Sequence, residues 1–122
     1  MTPKLILEYC LQKKGAFLAF PFGEKPICTK VANRIFLELY PEEDDFKITV
    51  CCEPFYADLL RQQYPEIVVP GYHCPPKIRR CKNTIYVDKV ESEAFVFEMI
   101  DHSYRFVMSK LRKYERDAVM NS

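Results

Sequence analysis

The chain has 122 residues, with 18 Lys+Arg against 17 Asp+Glu, a net charge of +1, and 48% hydrophobic residues. Such a length buries roughly two-thirds of the unfolded surface, so one domain with its own core is expected without metal or disulfide staples. This balance excludes disorder as the default and excludes the strongly basic surface of a DNA-coating protein.

Thr2 is a candidate N-cap, and Pro3 fits the first turn of a helix. Leu5, Ile6, Tyr9, Cys10 and Lys13 repeat at three and four, and Gly15 suits the left-handed position that ends the helix. Residues 17–26 read as a connector, because Phe20-Pro21-Phe22-Gly23 carries turn chemistry. Ile27–Val31 and Arg34–Tyr40 read as strands joined by a tight Ala32-Asn33 turn, Asn33 taking positive φ. In the longer strand Ile35, Leu37 and Leu39 alternate with Phe36, Glu38 and Tyr40. An acidic loop, 41–45, leads to a third strand over 46–52. Pro54 opens a second helix, with Phe55, Leu59, Leu60 and Gln63 facing inward and Tyr64-Pro65 closing it. An extended segment starts at 67–69. Cys74-Pro75-Pro76 excludes helix and central strand at that point. A last strand spans 84–87. Ser92 then caps a long helix running to about Arg116, its stripe built on Val96, Ile100, Tyr104 or Ser103, Val107, Leu111 and Tyr114.

The expected architecture is therefore α+β, in the order α-β-β-β-α-β-β-α, with an antiparallel sheet and its helices packed on one side. Residues 1–122 form one domain, with a core over about 3–116 and a flexible tail at 117–122. No apolar run approaches the ~20 residues that cross a bilayer, and Glu8 interrupts Leu5-Ile6-Leu7, so a cytoplasmic protein without membrane contact is expected. The six cysteines, Cys10, Cys28, Cys51, Cys52, Cys74 and Cys81, are then reduced thiols, several acting as small core residues. None forms a Cys-x-x-Cys pair, so neither a metal site nor a cofactor is expected.

Several short motifs fall in a recognisable order: Phe20-Pro21-Phe22-Gly23-Glu24, Cys52-Glu53-Pro54, Leu60-Arg61, Gln63-Tyr64-Pro65, Pro70-Gly71-Tyr72-His73, Asn83-Thr84 and Asp101-His102-Ser103-Tyr104. In this order they resemble the MmcQ/YjbR-like family, small bacterial proteins often described as predicted DNA-binding. The resemblance covers about residues 5–113 and implies a fold similar to that of secretion chaperones. One departure stands out. Family members usually carry a Trp just before Asn-Thr, where this chain has Lys82.

The basic excess lies in the middle of the chain. Residues 46–90 hold seven basic and four acidic residues, whereas the segments on either side each carry a net −1. Four cations crowd into one loop: Lys77, Arg79, Arg80 and Lys82. Together with Lys110, Arg112 and Lys113 from the last helix, they are the candidate contacts to nucleic-acid phosphates. The competing reading is a solvated loop, which the near-zero net charge favours. Tyr72, His73, Asn83, Asp101, His102 and Tyr104 could line a polar pocket if the fold brings them together. A structural role for His102 is the stronger expectation, since no nucleophile or metal constellation accompanies it. Asp101-His102-Ser103 resembles triad residues only in composition, because consecutive helix positions point about 100° apart.

The resemblance thus implies a nucleic-acid-binding or regulatory protein, with DNA as the partner. The alternative is a chaperone-like protein-interaction module or homodimer, which predicts an exposed apolar patch. An enzyme is the least expected, and would need both histidines in one concave pocket.

Overall fold

Helix α1 (Pro3–Leu11) starts as its residues dictate, Thr2 Oγ1 accepting the Leu5 N–H at 3.2 Å. The chain is described over Met1–Ser122 by a computed structural model. After α1 come β1 (Ala16–Ala19), β2 (Ile27–Val31), β3 (Arg34–Tyr40), β4 (Lys47–Cys51), α2 (Pro54–Gln63), β5 (Val68–Pro70), α3 (Pro76–Arg79), β6 (Lys82–Tyr86), a 3-10 turn (Val87–Lys89), α4 (Glu93–Lys110) and α5 (Lys113–Met120). The six strands form one sheet in the order β1-β2-β3-β4-β6-β5, and every neighbouring pair is antiparallel. Helix α1 packs on β1 and β2, α4 on β2–β4, and α2 on β5 and β6.

Ile6, Leu37, Leu39, Ile48, Val50, Val68, Ile85, Val96 and Ile100 fill the core between sheet and helices. Strand pairing sets the two faces. Leu37 opposes Val50, and Ile48 opposes Ile85, on the helix side. Glu38 opposes Thr49, and Thr49 opposes Thr84, on the other side, which no long helix covers.

The structure departs from the sequence expectations in several respects. First, β1 lies inside the expected connector. Its four residues are too few to show a period of two, and it forms because β2 offers it a partner. Second, Ala32 (φ 53°), not Asn33, takes the left-handed position of the β2–β3 turn. Third, β3 does not alternate regularly. Thr29 pairs with Leu37 and Lys30 with Ile35, so Phe36 is the extra residue of a bulge. That bulge turns Phe36 into the core, edge-on to Tyr104.

Fourth, α2 is rotated. Ala57 and Leu60 are buried, whereas Phe55 is 83% exposed and Leu59 is also exposed. Arg61 and the Ala57 carbonyl are both held by Asn83 of β6, which fixes the rotation. Fifth, the Pro-Pro step opens the short helix α3. Pro75 is its N-cap and Pro76 its first residue, where no N–H is required.

Sixth, the long last helix breaks at Leu111, which is extended (ψ 152°) and buried. Arg116 donates to the carbonyls of Met108 and Leu111, and Glu115 accepts from the Arg112 N–H at 3.1 Å. The break is therefore capped on both sides. The expected tail is helical through Met120, with Val119 buried against Gly15 and Val31. Seventh, Ser92 makes no side-chain cap hydrogen bond, and Gly15 (φ 76°) lies beyond the end of α1, in the turn to β1.

All six cysteines are free thiols, and only Cys81 is partly exposed. Burial pushes the Cys10 and Cys52 thiols up to about 12. No helix is long and apolar enough to cross a membrane.

Candidate functional site

The six residues proposed to share a pocket do not meet. Tyr72 and His73 lie on the open sheet face, whereas Asn83, Asp101, His102 and Tyr104 serve the helix side. The fold forbids the pocket because the sheet itself separates the two groups.

The Asp101-His102-Ser103-Tyr104 run on α4 is instead a set of four tethers. Asp101 accepts from Tyr9 Oη at 2.7 Å and pairs with Lys13, holding the end of α1. Burial opposes its charge, but the bonds from Lys13 and Tyr9 outweigh that and leave its pKa lowered. His102 Nε2 accepts the Glu53 N–H at 3.2 Å, just before α2, and its ring packs on Tyr56. Ser103 bridges β3 and β4, accepting from Cys51 N–H at 2.8 Å and donating to the Phe36 carbonyl. Tyr104 Oη donates to the Lys14 carbonyl at 2.6 Å. Helix geometry sends successive side chains to different neighbours, so one short motif fastens α4 to α1, α2 and the sheet.

His102 accepts at Nε2 and is therefore neutral, carrying its proton on Nδ1. Burial, and then the charge of Arg105, lower its pKa from the ordinary 6.5. Below 6.5 the unfolded chain takes up the proton before the folded one does. Stability from this group is full above 6.5 and declines as pH falls from there to the folded pKa. In His102→Gln, the drop in urea midpoint between neutral pH and mild acid is expected to shrink. An unchanged drop would place the titration elsewhere.

The basic loop is partly committed to the fold. Arg79 donates to the Cys74 carbonyl at 3.1 Å. Lys82 is turned inward, 3.8 Å from Glu38. Lys77 and Arg80 are exposed and make no ion pair. Lys110 sits over Phe106, Arg112 begins α5, and Lys113 pairs with Asp117 at 2.8 Å. This second basic group lies at the α4–α5 junction, and α5 packs toward β1 and β2, whereas α3 packs on β6 across the sheet. The seven cations do not form one face.

The principal concavity is a cleft of about 770 Å³ on the open sheet face. Glu38, Lys47 and Lys82 rise from the strands, and Tyr72, Cys74 and Ile78 stand on one wall. Phe22, Lys25, Glu42 and Asp45 approach from two loops. Lys47 is buried, pairs with Asp45, and lies 5.0 Å from the Tyr40 ring centre and 4.4 Å from that of Tyr72. His73 takes φ 56°, and the Tyr72 N–H donates to Thr84 Oγ1 at 2.7 Å. A Cβ on Gly71 would stand 2.7 Å from Cys74 Sγ and 2.8 Å from Lys82 Cβ, so only glycine lets this wall lie against β6.

Arg61, Glu38 and Lys47 escaped the sequence reading. A lone Lys47 inside an apolar strand was the available signal, since a charge there must find a partner.

The sequence model of the YjbR family matches residues 11–106. The chain belongs to the YjbR family. It is 27% identical to the uncharacterised protein YjbR of Escherichia coli K12 over 116 residues, 95% of each chain. The same figures hold for YjbR of Escherichia coli O157:H7. The crystal structure of the Deinococcus radiodurans protein DR2400, with a DUF419 domain, superposes with a TM-score of 0.85 at 22% identity, covering 97% of this chain and 87% of that one. A Pseudomonas syringae protein superposes with a TM-score of 0.69 at 15% identity, covering 87% and 98% respectively. These two likenesses establish the shared α+β fold, and the motif residues above are this YjbR chain's own.

Proposed function

We propose that this YjbR chain is a non-catalytic interaction module that pairs with a second copy of itself through β1. The observation that carries the reading is the free edge of that strand. β1 is bonded only to β2, and its other edge presents unpaired backbone groups. From Gly15 to Gly23 the segment holds no charged residue. Phe17, Leu18, Phe20 and Phe22 along it are all exposed, by 41–63%. Edge strands normally carry charges or bulges that forbid such pairing. Antiparallel pairing of Ala16–Ala19 with its copy about a twofold axis would bring the two exposed Phe17 and Leu18 side chains of each copy together.

Sedimentation of the purified chain is expected to give a dimer, and Leu18→Lys a folded monomer. A monomeric wild type at high concentration would sink the reading.

A second reading, nucleic-acid binding, is favoured by the free Lys77 on α3 and Arg80 at its C-cap. It ranks below the first because the adjoining cleft adds no basic field, Lys25, Lys47 and Lys82 being balanced there by Glu42, Asp45 and Glu38. Two phosphate contacts predict duplex binding with a log–log salt slope of about −1.8, lost in the Lys77→Ala/Arg80→Ala double variant. Fluorescence anisotropy across a salt series checks this, and absence of binding at low salt rejects it.

A further inference from the structure

The floor of the open-face cleft holds a donor and an acceptor that the fold leaves unspent. Lys82 Nζ stands 3.8 Å from Glu38 Oε2, with side chains 18% and 13% exposed. That distance is beyond a hydrogen bond, and the Lys82 ammonium donates to no protein oxygen, its other polar neighbour being the weakly accepting Cys51 thiol. Glu38 accepts only a long bond, 3.3 Å, from Tyr40 Oη. The other cations of the cleft are engaged: Lys47 with Asp45, and Lys25 with Glu42 at 3.3 Å. Charged groups withdrawn this far from water are costly unless their hydrogen bonds are made.

The pair also restricts what can complete it. An anion reaching Lys82 meets the carboxylate of Glu38, and a cation reaching Glu38 meets the ammonium. A neutral group with C=O beside N–H satisfies both at once. The exposed Phe22 ring at the mouth offers a flat apolar face, and the Tyr72 ring, packed on Lys47 and His73, borders the wall. We infer that this cleft binds a planar aromatic ligand through an amide or lactam edge, its C=O toward Lys82 and its N–H toward Glu38. Carboxamide heterocycles and nucleobases share this chemistry. The inference does not rest on strand pairing at β1; Phe22 belongs to both surfaces, so Phe22→Ala is read in the Leu18→Lys background.

An isosteric series tests it: benzamide, benzoate and benzamidine, each titrated into the 15N-labelled chain. Benzamide is expected to shift the amides of Glu38, Tyr72 and Lys82 saturably, in the millimolar range of so small a fragment. Benzoate and benzamidine should be weaker. Lys82→Met and Glu38→Gln are each expected to cost about tenfold in affinity. Phe22→Ala, at an exposed position that leaves the core untouched, should also weaken binding. Stronger binding of benzoate would make this an anion site on Lys82, and stronger binding of benzamidine a cation site on Glu38. Either result overturns the proposal, as does the absence of saturable shifts or of any loss in the three variants. Thymidine and a thymidine hexamer then separate the sources. Equal affinity assigns a free small ligand, and tighter, salt-sensitive hexamer binding assigns a base within a single strand.

Discussion

Ser103→Ala is expected to lower stability by about 3 kcal/mol, read as a fall in urea midpoint with little change in slope. The reason lies in the bulge of β3. The β3–β4 ladder runs from Tyr40↔Lys47 to Leu37↔Val50 and stops there. The next two groups, the Phe36 carbonyl and the Cys51 N–H, are carried apart by the extra residue. Ser103 is fully buried, and its hydroxyl bridges both. Alanine leaves a donor and an acceptor without partners in the core, at about 1–3 kcal/mol each, with partial relaxation returning some of the loss. A change under about 1 kcal/mol would mean that the strands close the gap themselves.

Arg61→Met is the second large effect, also about 3 kcal/mol. The guanidinium donates to Asn83 Oδ1 at 2.6 Å, to the Arg79 carbonyl at 2.6 Å and to the Lys82 carbonyl at 2.8 Å. It therefore joins α2, α3 and β6 through one planar fork. Asn83 is buried and spends its amide donor on the Ala57 carbonyl, so losing Arg61 strands its oxygen. Arg61→Lys should rescue only a fraction, because an ammonium cannot reach three acceptors in that geometry. Amide exchange should speed up in α3 and at the start of β6 more than in β3. Uniform acceleration across the sheet would argue against a local clamp.

Both residues sit in motifs visible in the chain, yet their roles were not visible there. Leu60-Arg61, Asn83-Thr84 and Asp101-His102-Ser103-Tyr104 are far apart in sequence, and each partner is reached only through the sheet. The same distance explains the failed pocket. Tyr72 and His73 share a motif, as do Asp101 and His102, but nothing local tells which side of a sheet a strand or helix occupies. The basic loop failed for a related reason. Four cations in six positions read as one patch, whereas α3 and the turn into β6 direct Lys82 toward Glu38 and Arg79 toward a carbonyl.

Local chemistry was enough for the elements whose signals are local. Thr2-Pro3 and Glu53-Pro54 mark helix starts because capping and proline act within one turn. Ile27–Val31 and Arg34–Tyr40 mark strands through composition and a two-residue turn. The α+β class and the antiparallel sheet followed from the order of these elements. Pairing between elements decided the rest: the four-residue strand β1, the bulge at Phe36, the rotation of α2 and the break at Leu111. Each depends on a partner outside the element itself, whether a neighbouring strand, Asn83 or Arg116 of the following helix, and hydrogen-bond satisfaction between elements leaves no periodic trace in a single sequence.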